Sequence, residues 1–205
     1  MKIQLQVLAI CFILYACNTS KQAPQTKYFD ANYQQITQPE FNRSLSSNHF
    51  LEEPGDSVNH RKLITREKRG TVNNKAEIEH LLREVTKNQV ASEKPIIVVY
   101  YPGKDDCNKN ISLNKTSVRS MEKELFEEAE LKPIYLYKED KGLKRYAGFL
   151  QWHQDPKQFF ERTFFQHAYP CSSFVVIAAN GSYISYLGEF NTQKIKEALA
   201  ALRKT

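Results

Sequence analysis

The sequence predicts an α/β domain built on a mixed central sheet, and three observations carry that prediction. The first is "KPIIVVYY", Lys94 to Tyr101, a continuous β-branched run bounded by prolines. Such a run suits a strand covered on both faces. The second is the alternation of strand-like runs with stretches of helical periodicity, which implies parallel pairing for the strands they join. The third is "SSFVVIAANGSYISYLGEF", two strand-like runs around Asn180-Gly181, which reads as an antiparallel hairpin closed by a type I′ turn.

Taken in order, Arg61 to Val72 reads as the first strand. It overlaps the densest charge cluster of the chain, "HRKLITREKRG" from His60 to Gly70, with five basic residues and one acidic. Such a cluster suits anionic lipid headgroups or an acidic partner. The plainer and favoured reading is an edge strand protected by its charges. "NNKAEIEHLLREVTKNQ" follows, with Asn73 or Asn74 as N-cap and Ile78, Leu81, Leu82 and Val85 at helical spacing. After the central run, "NKTSVRSMEKELFEEAE" offers Asn114 as cap and a stripe of Val118, Met121, Leu125 and Phe126. Lys132 to Asp140 is the next strand. Leu143 to His167 is helical in character and is cut by Pro156, so two helices or one kinked helix are predicted. The hairpin comes next, and "NTQKIKEALAALRK" closes the chain as a helix capped at Thr192, with Ile195 and Leu199 on its stripe. The order is β-α-β-α-β-α-β-β-α, with the hairpin at an antiparallel edge.

Before this domain the sequence has a different character. Met1 and Lys2 precede an apolar stretch, Val7 to Leu14, which is too short to span a membrane and ends in "LYAC" at Cys17. This resembles the bacterial lipobox, in which the cysteine is acylated and becomes the mature N-terminus. The resemblance implies a signal peptide over residues 1–16, a palmitate-type lipid anchor at Cys17 and attachment to the cell envelope. Asn18 is not the aspartate that resembles an inner-membrane retention signal, so the outer membrane, facing the periplasm, is the expected place. Residues 17–57 show no sustained period and are rich in Gln, Asn, Ser and Pro, so a flexible polar tether is expected, with the domain over 58–205. Tyr28, Phe29, Tyr33, Phe41 and Phe50 stand scattered in it as docking residues. No internal repeat is present.

Twenty-nine Lys and Arg against 23 Asp and Glu give a formal charge of +6, mild and without long runs. Aromatic residues do not interleave with the basic ones as a nucleic-acid stacking platform requires, so nucleic acid is not an expected partner. His49, His60, His80, His153 and His167 are isolated from one another, which gives no metal-ligand spacing. No cofactor is expected.

"YPCSSFVVIAANGSYISYLGEF" and "PIIVVYYPGKDDCNKN" together resemble the thioredoxin fold, as its closing hairpin with the preceding loop proline and its central strand running into the redox loop. The resemblance covers roughly Val58 to Thr205. It implies a three-layer α/β/α sandwich with a mixed central sheet, ending in a β-hairpin plus helix. It also implies a cis peptide before Pro170, facing Cys107. The sequence departs from that family at the thiols. "GKDDCNKN" lacks the C-x-x-C pair, since the partner position falls on Asn110 or Lys104. Asp105 and Asp106 flank the remaining thiol and raise its pKa. The resemblance brings Cys171, directly after Pro170, towards Cys107, and an exported chain favours their disulfide. Read structurally, that bond closes a long loop; read functionally, it is a displaced redox pair. Cys107, Cys171 and His167 also form a remote metal set, resembling copper-handling thioredoxin-fold proteins. Trp152 in "FLQWHQD" is read as core on a helical face or as the lining of a groove beside the loop.

Three function classes follow. The chain is a lipid-anchored binding or scaffolding module with an envelope protein as partner, or a thiol-disulfide oxidoreductase using Cys107 and Cys171, or a copper or zinc carrier. The missing dithiol favours the first.

Overall fold

The structure is a computed structural model that describes residues 25–87, 90–110, 115–167 and 169–204. The predicted leader, Cys17 and the Asn114 cap lie outside those residues. No helix among the described residues is long and apolar enough to cross a membrane.

The first correction concerns the expected tether. β1 (Lys27–Phe29), β2 (Gln35–Ile36), α1 (Gln38–Ser46) and β3 (Phe50–Pro54) occupy it, and with β4 (His60–Thr65) they make a four-stranded sheet in the order β2-β1-β4-β3. α1 starts at a reciprocal capping box: Thr37 accepts from the Glu40 amide, and the Glu40 carboxylate accepts from the Thr37 amide. The scattered aromatics are what close this unit. Phe41 is 1% exposed, and its ring centroid lies 5.0 Å from that of Tyr28. Leu51 and Ile64 enter the same core as Val98 and Val175, so residues 50–65 belong to the folded body rather than to a linker. Strands of two to six residues are too short to show a period, and a few large rings bury enough surface to hold them.

The predicted strand Arg61 to Val72 is broken at Arg66. Its first half is β4, and its second half is β5 (Glu67–Thr71), which leaves for a different sheet. α2 (Lys75–Thr86) is capped by Asn74, whose side chain accepts from the Glu77 amide. β6 (Ile96–Tyr101) leads to a short α3 (Asp106–Asn110), then α4 (Lys115–Ala129) and β7 (Ile134–Tyr137). Every residue of β6 is at most 3% exposed, as a doubly covered strand requires.

Leu143 to His167 is less helical than predicted. It folds as a 3-10 turn at Leu143–Tyr146, the strand β8 (Trp152–Gln154), a second 3-10 turn at Pro156–Gln158 and α5 (Phe159–Phe164). β8 pairs in parallel with β7, which puts Trp152 on a strand rather than a helical face. Three residues give no alternation to read, and aromatic neighbours fix them instead: the Trp152 ring lies 5.3 to 6.0 Å from Tyr101, Tyr135 and Tyr146.

β9 (Ser173–Ile177), β10 (Ser182–Tyr186) and α6 (Thr192–Leu202) complete the chain. The second sheet has the order β5-β10-β9-β6-β7-β8, with β6, β7 and β8 parallel and the remaining pairs antiparallel. The hairpin is therefore interior, and β5 is the edge beyond it, with all five of its residues exposed. The predicted type I′ turn does not form. Only Gly181 takes a positive φ (87°), and its amide bonds the Ala178 carbonyl, giving a type I turn closed by a left-handed glycine. α6 is capped by the Asn191 side chain, one residue before the predicted Thr192.

Ile96, Val98 and Tyr100 pack with Ile78 and Leu82 of α2 and Phe160 and Phe164 of α5. Ile97 and Val99 pack on the other face with Val118 and Leu125 of α4 and Ile195 and Leu199 of α6. Helices thus cover both faces of the mixed sheet. Phe126, predicted on the buried stripe of α4, is 52% exposed because the stripe closes at Val118, Met121 and Leu125.

Candidate functional site

Cys107 and Cys171 meet at the end of β6 as a disulfide, with their Cα atoms 5.2 Å apart and a separation of 64 positions along the chain. The spacing lies within the usual range of about 4.4 to 6.8 Å. Cys107 is brought there by α3. Gly103, at φ 135°, turns the chain out of β6, and Asp105 and Asn108 then cap α3 reciprocally. The Asn108 amide donates to Asp105 Oδ1 (2.8 Å), and the Asp105 amide donates to Asn108 Oδ1 (3.0 Å). Asn108 is buried, and its Nδ2 donates to the Gly103 carbonyl (2.7 Å) and to Asp105 Oδ2 (2.8 Å).

The second loop reaches the site differently from the prediction. No peptide bond among the described residues is cis, so the Tyr169–Pro170 bond is trans. The reversal falls one residue later, on Cys171, which takes φ 74°. A left-handed cysteine costs of order 1 kcal/mol or more and persists where its surroundings over-determine it. Two restraints do so. One is the disulfide, and the other is the Cys171 amide, which donates to Asp105 Oδ2 at 3.0 Å. Asp105 therefore serves as a clamp, accepting from α3 and from the Cys171 loop at once. Its predicted role was electrostatic only. The D-x-x-N spacing of Asp105 and Asn108 is the signal that marks it as a cap.

Beyond the sulfurs lies a cavity of about 240 Å³, lined by rings and aliphatic groups of Tyr101, Met121, Tyr135, Tyr146 and Phe190, with Cys171 on its wall. Burial pushes the Tyr101 phenol up to about 12, helped by the neighbouring Tyr146 and Asp105. Burial raises Tyr135 and Tyr146 as well, with Glu122 adding to the shift at Tyr135. These phenols stay protonated at neutral pH. Tyr101 donates to the Lys141 carbonyl (2.9 Å) and Tyr135 to Glu122 (3.0 Å), so two hydroxyls are engaged behind a largely apolar wall.

Glu189 is the carboxylate at the sulfurs, with its oxygen within 4.8 Å of both. His167 is not part of that cluster. Its Nδ1 contacts Glu53 of β3 instead, so the predicted set of His167, Cys107 and Cys171 is not brought together as metal ligands. Metal ligation also needs thiolates, and these sulfurs are bonded to each other. Trp152 lies behind Tyr101, Tyr135 and Tyr146 as their packing partner. Glu189 was not legible as a site residue, since it is a single charge in a loop. No known protein family, curated protein or solved structure matches the chain.

Proposed function

We propose that the chain is a lipid-anchored envelope protein whose thioredoxin-like domain is a binding or scaffolding module, held in place through Cys17. The thioredoxin-like reading draws support from the sheet segment β7-β6-β9-β10, with a helix after β6 and another after β10. Two features depart from it: the strand before α2 lies beside β10 while β8 fills the edge next to β7, and the Tyr169–Pro170 bond is trans.

The observation that carries the binding reading is the Asp105 clamp. A redox pair must part and close, yet here a carboxylate fixes both cysteine loops independently of the sulfurs. The loop end then presents a rigid wall beside the apolar cavity, which suits a partner side chain or small apolar group. A redox titration of the bond tests this. The expected reduction potential is below about −300 mV, the range of structural disulfides, and a value between about −270 and −120 mV makes the bond a catalytic one.

The second reading is a thiol-disulfide oxidoreductase using Cys107 and Cys171. Its support is that both cysteines are only half-buried, with the exposed Glu189 carboxylate beside the sulfurs. Metabolic labelling with a fatty acid tests the anchor separately. Label is expected in the wild type and absent from Cys17→Ser.

A further inference from the structure

The break at Arg66 leaves a cavity of about 210 Å³ at the seam of the two sheets, walled by β4 on one side and by β5 and β10 on the other. Lys62, Arg66, Lys68 and His167 line it, and no carboxylate does. The nearby acids on β3 and β5 are engaged elsewhere. Glu52 pairs with Arg61 and Glu67 with Arg69, and Glu53 contacts the His167 ring. Among the described residues Lys62, Arg66 and Lys68 have no ion-pair partner, and Lys62 rests 5.1 Å from the Tyr33 ring centroid.

Arg66 is the fixed member. Its amide donates to the His49 carbonyl (3.0 Å), and its own carbonyl accepts from Leu187 (2.9 Å). Its Nη1 donates to the Tyr186 hydroxyl (3.2 Å) and, at 3.4 Å, to the Glu189 carbonyl, while its Nε is buried without an acceptor. All of these partners are neutral, so the guanidinium keeps its full charge in a partly dry place. Holding such a charge unpaired next to two lysines is unfavourable unless an anion joins them. Ser185, opposite Lys68 in the β10–β5 register, and Thr65 of β4 line the same cavity from its two sides.

We infer that this cavity binds a phosphate-class oxyanion, either a free phosphate or the headgroup of an anionic phospholipid. Three cations around a small polar cavity suit a tetrahedral oxyanion, whether a free phosphate or the singly charged phosphodiester of a headgroup, and Arg66 supplies planar N–H donors to it. The full chain is titrated with inorganic phosphate, against chloride at equal ionic strength, by calorimetry and thermal shift. Saturable binding is expected for phosphate only. Lys68→Gln is expected to weaken it about fivefold, the order of one partly screened charge at contact distance, and Lys62→Gln similarly. Arg66→Gln is expected to remove more, but it also cuts the Tyr186 contact, so the two lysine variants decide. In a second arm, phosphatidylglycerol vesicles are compared with phosphatidylcholine vesicles. Vesicle binding that the lysine variants weaken identifies the headgroup as the source, and phosphate binding without it identifies a soluble phosphate. No saturable binding to phosphate or to phosphatidylglycerol, or binding that Lys62→Gln and Lys68→Gln leave unchanged, overturns the inference.

Discussion

The loop end around Cys107 and the seam around Arg66 handle charge in opposite ways. At the loop end the carboxylate of Asp105 accepts three hydrogen bonds from its own chain, and the disulfide closes the remaining freedom. At the seam three cations are left without a carboxylate although Glu52 and Glu53 stand on the neighbouring β3 and Glu67 on β5. The first arrangement holds a shape. The second stores unmet charge, and unmet charge at a cavity is what a ligand of opposite sign completes. The contrast predicts that substitutions at the loop end cost stability, while substitutions at the seam cost binding and leave stability intact or better.

The largest effect belongs to the bond itself. Closing a separation of 64 residues is worth about 4 kcal/mol in the chain-entropy description. Cys107→Ser with Cys171→Ser, or reductant added to the wild type, is expected to lower the melting temperature by about 10 °C. A loss near zero breaks the comparison, because the loops then hold without the bond.

The next effect tests whether the clamp and the bond act together. Asp105→Ala removes the cap of α3 and the acceptor of the Cys171 amide, and about 2 kcal/mol is the expected loss in thermal or denaturant unfolding. Combined with the double serine variant it makes a cycle. A non-additive result shows that the carboxylate and the disulfide restrain one loop in common.

How far these features were legible differs by region for a physical reason. β6 could be read because six consecutive residues are buried on both faces, and the last helix because Ile195 and Leu199 repeat at helical spacing. The small sheet could not, since its burial rests on Phe29, Phe41, Leu51 and Leu63, spread over strands too short for a period. β8 was hidden in the same way. The cysteine pairing was anticipated from the redox loop resemblance, but the way Cys171 arrives was not: a trans proline followed by a left-handed cysteine leaves no mark in composition. Arg66 was visible only as one charge among five, because a strand break between two sheets is a tertiary event.

A third substitution sharpens the wall of the loop-end cavity. Gly142 has φ 97°, and a Cβ there lies 2.9 Å from the Tyr101 hydroxyl, which bonds the adjacent Lys141 carbonyl. Gly148 has φ 86° with no heavy atom within 4 Å of its Cβ position. Gly148→Ala therefore reports backbone strain alone, about 1 kcal/mol, and Gly142→Ala strain plus contact, about 2 kcal/mol. Equal losses in chemical denaturation show that Tyr101 can shift at no cost, which makes the wall softer than the clamp beside it.

The smallest effect is the one that separates the two regions most clearly. Lys68 is exposed on the edge strand β5, with Arg66 two residues before it and Lys62 across the cavity. Three like charges without partners repel in the folded state and are farther apart in the unfolded chain, so folding works against them. Lys68→Gln is expected to raise the melting temperature by about 1 °C at low ionic strength, the modest size expected of exposed charges. Added salt shortens the range of the repulsion, so the gain should vanish by about 0.5 M salt. Phosphate should do to the wild type what the substitution does, and do nothing further to the variant beyond its weaker binding. A variant that melts lower than the wild type at low salt shows that the seam already carries its own counter-charge. In that case the two regions do not differ in the way the unpaired cations imply, and Lys68 belongs with the edge-strand protection that the sequence suggested for the whole basic cluster.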